Sequence, residues 1–300
     1  MKRAVSISIG SSKRNKAVEI SLLGETVRIE RIGTDGDMEK AAQLYRELDG
    51  QVDAFGVGGA DLGVMVDEKW YPLYSINKMV RFVKKTPLVD GTGLKTTLEI
   101  RSAPTLEKLI PSEQLEPRRA LVPVGVDRWG MGKSFLDAGY DCIFGDLLFG
   151  LGIPIVVRTA QQLKLVAALM MPIAGRLPFE WVYPTGKKQE ERKPKGVKYY
   201  QWAKVVAGDC HYVRRHMPER MDGKIIVTNT TTPEDVAIFK AAGVKYLLTT
   251  TPVLDGRSFG TNMMEAALVA AAGKGRTLTQ AEITEMLNLL HLEPTLQELN

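Results

Sequence analysis

Lys95 follows Asp90 by five residues in the segment DGTGLKTT (90–97), directly after a short apolar run. A lysine–carboxylate pair can carry the proton of a hydroxyl while hydride leaves the same carbon. Burial beside another cation would lower the lysine pKa enough for that task. Lys95 with Asp90 is therefore the first candidate for proton transfer, and the plainer alternative is a surface turn with a solvated lysine. His211, in AGDCHYVRR (207–215), is the second candidate, since an imidazole titrates near neutrality. Arg214 and Arg215 beside it would suit an anionic substrate. In NTTTPEDV (229–236), Thr232 is placed to cap a helix, with Pro233 at its first position and Asp235 in its first turn. Asn229 and Thr230 then fall where they can line the nicotinamide side of a cofactor.

The longest chemical signal is LVPVGVDRWGMGKSFLDAGYDCIFGD (121–146). An apolar run ends at Gly125; Gly130, Met131 and Gly132 follow, then a helical stretch Lys133–Ala138 closed by Gly139. A second apolar run ends at Asp146, which follows Gly125 by 21 residues, near the roughly 20 of dinucleotide-binding units. Glycines admit a pyrophosphate, helix N–H groups around Lys133 bind it, and an acid accepts from ribose. The spacing is G-x-x-x-x-G-x-G, so an ordinary βαβ crossover with packing glycines is the competing explanation. Asp146 favours NAD over NADP, because it would repel a 2′-phosphate; Arg128 and Lys133 weaken that preference.

These groups need strands and helices to hold them. Val5, Ile7 and Ile9 alternate with serines, as in a half-buried strand. Strands are expected at Ala17–Leu23, Thr26–Ile32, Val52–Val57 and Pro87–Val89, with helices at Asp37–Leu48 and Ile76–Val83. Later strands are expected at Leu121–Val124, Cys142–Asp146, Pro154–Val157, Lys204–Ala207, Lys224–Thr228 and Tyr246–Thr250. Strands alternating with helical patterns imply a mostly parallel sheet. The fold class is thus α/β with two domains, an N-terminal α/β substrate domain (1–115) and a C-terminal Rossmann-like dinucleotide-binding domain (116–275). A C-terminal segment (276–300), with an amphipathic helix over Thr279–Leu290, packs back on the body or on a partner copy. Ligands of such sheets sit beyond the carboxyl ends of the strands, so Asp146, Asp209, Asn229 and the following threonines should share one rim. The charged, proline-bearing stretch 177–196 reads as an exposed loop.

Composition narrows the function classes. The 300 residues, 44% hydrophobic and 25% charged, are those of a globular protein, and a net charge of +5 is mild. No nucleic-acid-binding pattern accompanies it. Cys142 and Cys210 make no disulfide framework, and His211, His216 and His291 have no metal-ligand spacing. MKRAVSISIG reads as a strand rather than a signal peptide, and Leu165–Ala174 is too short to span a bilayer. The expectation is a cytoplasmic protein, with a homodimer as one option, that takes a small anionic substrate and has neither nucleic-acid nor membrane partners.

The segments GTDGDM, TPLVDGTGLK, GMGKSFLDAG, FGDLLFGLGIP, TNTTTPEDV and TTTPVLDGRSFGTNMMEAAL together resemble the quinate 5-dehydrogenases, relatives of the shikimate dehydrogenases. That resemblance implies a substrate domain followed by a dinucleotide domain, and hydride transfer between a nicotinamide and a secondary alcohol of a quinate- or shikimate-like polyhydroxy carboxylate. Lys95 stands nearest to the family's lysine. The family's Asn-Val-Thr-x-Pro-x-Lys and Asn-Thr-Asp motifs are absent, and Asp90 precedes the lysine where the family's aspartate follows it. Two other readings compete: a nucleotide-sugar or phosphate-ester transferase, and a dinucleotide-sensing protein without turnover.

Overall fold

The computed structural model describes residues 1–179, 192–251, 253–254 and 257–300, with the backbone alone at 253–254 and 257–258. Residues 180–191 of the expected loop, and Pro252, Asp255 and Gly256, lie outside the described residues.

The N-terminal sheet holds β1 (Lys2–Ser8), β2 (Lys16–Leu22), β3 (Glu25–Gly33), β4 (Ala54–Gly58) and, past a hairpin of β5 (Gly63–Val66) and β6 (Lys69–Pro72), β7 (Leu88–Val89). Its order is β2-β3-β1-β4-β7, parallel except for β2. One face packs Val5, Ile7, Phe55 and Val57 against α1 (Met38–Leu48), whose Tyr45 hydroxyl donates to the Gly56 carbonyl at 3.0 Å. Asp37 caps α1 by accepting from Lys40 N at 2.8 Å. The expected helix at Ile76–Val83 is confined to Asn77–Val80.

The serine face of β1 is not solvated, contrary to the half-buried expectation. A helix over Thr261–Ala272 lies on it, and Ser6 and Ser8 are buried. Ser6 Oγ donates to Asn262 Oδ1 at 2.6 Å, satisfying both polar groups inside the interface. Met263, Met264, Ala267 and Leu268 of that helix share a core with Ala4, Val27, Ile29 and Ala54. The chain therefore returns to its first domain by Thr261, before the boundary expected at 276.

A short helix, α2 (Thr92–Thr97), leads from β7 towards the second sheet. That sheet contains β8 (Arg119–Val122), β9 (Asp141–Phe144), β10 (Val205–Ala207), β11 (Ile225–Thr228), β12 (Tyr246–Thr249) and β13 (Thr295–Glu298). The order is β13-β12-β11-β10-β8-β9, parallel except for the β13 edge. Pro154–Val157 contributes one isolated bridge, Phe144 to Val157, rather than a strand. Helices cover both faces: α3 (Trp129–Asp137) and α4 (Ala160–Ala174) on one, α5 (Cys210–His216) and α6 (Pro233–Ala241) on the other. Strand order reverses between β8 and its neighbours β9 and β10, which creates a crevice at their carboxyl ends. The returning helix is α7 (Thr261–Ala272), and α8 (Gln280–Leu289), capped by Thr279, joins the same core as α7. The tail then re-enters the second sheet as β13. Among the described residues, no helix is long and apolar enough to cross a membrane.

Candidate functional site

The carboxyl edges of the two sheets meet. Asp61 lies just beyond β4, Lys95 sits on α2 beyond β7, and Asp127 follows β8. Lys95 Nζ donates to Asp61 Oδ1 and to Asp127 Oδ1, each at 2.8 Å. Arg128, at the start of α3, extends the network. Its guanidinium donates to Glu99 Oε1 at 2.7 Å and Asp209 Oδ2 at 2.8 Å, and Nε lies 3.1 Å from Asp127 Oδ2. Asp209, beyond β10, accepts from Asn229 Nδ2 at 3.0 Å, and Asn229 Oδ1 accepts from Cys210 N at 3.2 Å. One polar chain thus runs from the first domain to the crevice of the second.

Lys95 does not have the depressed pKa expected of it. Burial alone would lower it, but Asp127 and Asp61 outweigh that effect and hold the ammonium well above the usual lysine range. The two carboxyls differ. Burial pushes Asp61 upwards, with Lys95 opposing and Asp127 and Asp90 adding repulsion. Burial acts on Asp127 too, but Lys95 and Arg128 together bring it below the usual carboxylate range. Asp61 is therefore the member best suited to exchange a proton near neutrality.

Asp90 is not the partner of Lys95. Its carboxylate accepts from Leu62 N at 2.7 Å and Thr92 N at 2.9 Å, pinning the loops after β4 and β7. Glu265, on α7, reaches the same place and accepts from Gly93 N at 3.0 Å. Burial first, and Asp90 second, push its pKa up to about 8. His211 is exposed at the first turn of α5, where its backbone N donates to Asp209 Oδ1 at 3.0 Å.

The glycine turn is engaged by the chain itself. Gly125 N and Val126 N donate to Asp146 Oδ2 and Oδ1, at 3.0 and 2.8 Å. Asp146 is buried, so its carboxylate faces the turn rather than a ribose outside. Helix α3 begins at Trp129, four residues before the expected Lys133, and Gly132 N already donates to the Arg128 carbonyl. A side chain at Gly130 would strike the Lys95 carbonyl, and one at Gly125 or Gly132 would strike the Phe144 ring. Met131 is wholly buried in the core. As they stand, these residues do not offer a pyrophosphate its donors. Asn229 and Thr230 do lie at the carboxyl rim; the Thr230 hydroxyl is 3.0 Å from Thr251 Oγ1 and 3.2 Å from the Phe259 carbonyl. Thr232 caps α6 as expected, and Asp235 returns the bond to complete a capping box.

The open side of the site is acidic. Side chains of Asp61, Asp127 and Asp209 keep 19%, 27% and 20% of their surface exposed, against 10% for Lys95. Beneath the β5–β6 hairpin, Lys95, Asp127 and Trp129 border a cavity of about 10 Å³, room for a single water. Asp61, Asp127, Arg128 and Glu99 were not singled out from sequence as reactive groups. Asp61 and Asp127 carry the same signal as Asp146, an apolar strand followed by glycine and then aspartate.

The fold and site define a two-domain α/β protein with a buried lysine–carboxylate centre where two carboxyl edges meet. A family model described as Domain of unknown function (DUF8754) matches residues 93–299, and the chain belongs to that family. A second, Domain of unknown function (DUF8753), matches residues 3–90. No curated protein matches the chain. Among solved structures it is similar to an NAD-dependent malic enzyme from Thermotoga maritima, at 12% identity and TM-score 0.37, covering 94% of this chain and 75% of that one. A dipicolinate synthase chain from Bacillus halodurans matches at 13% identity and TM-score 0.27, covering 98% of each chain. A sugar-transport substrate-binding protein from Bordetella parapertussis matches at 11% identity and TM-score 0.34, covering 91% and 80%. Likenesses this distant carry no inference about what the present chain binds.

Proposed function

We propose that this protein is an enzyme of the oxidoreductase class, acting at a secondary alcohol or its ketone in the cleft between the two carboxyl edges. The observation that carries the reading is the Lys95 ammonium held 2.8 Å from both Asp61 and Asp127. Lys95 stays charged and donates to the substrate oxygen, favouring the alkoxide character that develops as the alcohol is oxidised. Asp61 accepts the hydroxyl proton and passes it to solvent; in the reverse direction it returns that proton. Asp127 stays ionised and orients the ammonium.

Four carboxyl groups (Asp61, Asp127, Glu99 and Asp209) face two cations, Lys95 and Arg128. That balance favours a hydroxyl-rich substrate whose O–H groups donate to the exposed acids, and it opposes an anionic group at this point. A quinate-like acid would have to direct its carboxylate elsewhere. Oxidation also needs a hydride acceptor. NAD, with NADP second, is the acceptor this reading carries, and the glycine turn in its present form does not supply the phosphate contacts.

The transferase alternative would gain from Gly56–Gly63 and Gly125–Gly132 facing one cleft with no lysine–carboxylate pair, whereas Lys95 is paired with Asp61 and Asp127. A binding protein without turnover is the second reading, favoured by the Asp146 carboxylate that fills the glycine turn. The test is a screen of polyols and hydroxy acids with NAD and NADP, following nicotinamide reduction, for wild type and Lys95→Met. An enzyme turns over at least one substrate and loses that turnover in the variant. No turnover with any pairing would favour the binding protein.

A further inference from the structure

We propose that the Gly125–Val126 turn is an oxyanion site masked by the chain's own Asp146, and that a phosphate-bearing ligand binds by displacing that carboxylate. This deepens the cofactor part of the reading above, but it depends only on the phosphate, not on the nicotinamide.

Two successive backbone N–H groups point at the two oxygens of one carboxylate, the arrangement in which consecutive amides cradle an anion. The turn lies at the reversal of strand order beside β8, where doubly wound sheets hold their ligands. What fills it has backbone donors but no cationic partner: no lysine or arginine is ion-paired with Asp146 among the described residues, and burial pushes its pKa up to about 6, with Asp127 adding repulsion. Asp146 also opens a π-helical turn over Asp146–Gly150, a rare geometry that recurs at functional sites.

Tyr212 on α5 is held above the usual phenol range by burial, then by Asp127 and Asp209; Arg215 opposes the shift and Asp146 adds to it. Asp146 and Arg215 thus both bear electrostatically on the same phenol. Arg215 Nε is buried and has no hydrogen-bond partner among the described residues. An oxyanion at the turn would give that guanidinium a counter-charge that Asp146 does not provide.

The masked site and the ribose-binding role expected from sequence give opposite signs in one experiment. Inorganic pyrophosphate is titrated by calorimetry into wild type, Asp146→Ala and Asp146→Asn. Removing the carboxylate frees both N–H groups, so affinity should rise at least about tenfold in Asp146→Ala. Asparagine keeps the side-chain size if alanine prevents folding. Its single carbonyl oxygen can satisfy only one N–H, so affinity should rise there too. Adding Arg215→Gln should reduce the gain. Equal or weaker binding in the folded Asp146 variants, or no binding in any of them, would overturn the proposal. Because pyrophosphate carries no nicotinamide, these outcomes are separate from the alcohol screen, which can fail while the masked site stands.

Discussion

Replacing Glu265 by glutamine should flatten the pH dependence of stability between the ordinary carboxyl pKa of 4.5 and about 8. Glu265 lies inside the α7 interface, accepts from Gly93 N and faces Asp90; burial raises its pKa from an ordinary 4.5 to about 8. The folded state therefore keeps a proton that the unfolded state loses. Its contribution is complete below the unfolded pKa of 4.5 and is lost as pH rises towards about 8. At 1.36 kcal/mol per pH unit, the whole interval corresponds to an upper limit of about 5 kcal/mol. The part between pH 6 and pH 8 is roughly 2–3 kcal/mol. Asp146, raised to about 6, has the same sign but titrates mainly at lower pH, and it is unchanged in the variant. Glutamine copies the neutral acid and cannot ionise. Urea unfolding of both proteins at pH 6, 7 and 8 should show wild type losing roughly 2–3 kcal/mol more than Glu265→Gln over that range. Parallel pH curves would refute the assignment of a protonated Glu265.

Arg128→Met leaves Glu99, Asp127 and Asp209 without their shared cation, and should cost about 3–5 kcal/mol in urea unfolding. Adding Glu99→Gln should recover part of that loss; no recovery would show that the buried charge is not its cause. Gly130→Ala places a methyl group against the Lys95 carbonyl, so it should destabilise by about 1–3 kcal/mol with no ligand present. An unchanged unfolding midpoint would restore Gly130 to a purely ligand-binding role. Ser6→Ala removes the hydrogen bond to Asn262 and leaves that half-buried amide oxygen short of a donor, at a cost of about 1–3 kcal/mol. The same loss in an Asn262→Ala background would show that the pair is not coupled.

Much of the scaffold was legible because its strands are short apolar runs ended by glycine or a polar turn. Val52–Val57, Lys224–Thr228 and Tyr246–Thr250 all fall on observed strands, shifted by a residue or two. Coverage of a strand by distant chain was not legible. The serines of β1 carry a solvent-facing pattern, yet α7 lies more than 250 residues away in sequence and supplies Asn262 to Ser6. Helix α3 starts within WGMG, because Gly130 and Gly132 allow close packing on Lys95 and Phe144. A glycine pattern by itself does not separate that use from a phosphate cradle.

The site was half legible for a related reason. Lys95 was recognisable, as was the rim that holds Asp209, Asn229 and Thr230. Its acidic partners were not, because Asp61 and Asp127 approach it from loops on different sheets. Their closeness also reverses the expected direction of the lysine's pKa. Local sequence places Asp90 nearest to Lys95, whereas the fold turns Asp90 onto two backbone N–H groups.

The most direct test of the proton-transfer centre is the rate of alcohol oxidation, with a substrate found by the polyol screen, in wild type, Lys95→Met and Asp61→Asn. Both variants should retain substrate binding within a few-fold by calorimetry while turnover falls by about 10²–10⁴. Wild-type turnover in either variant would contradict the role assigned to Asp61, Lys95 and Asp127.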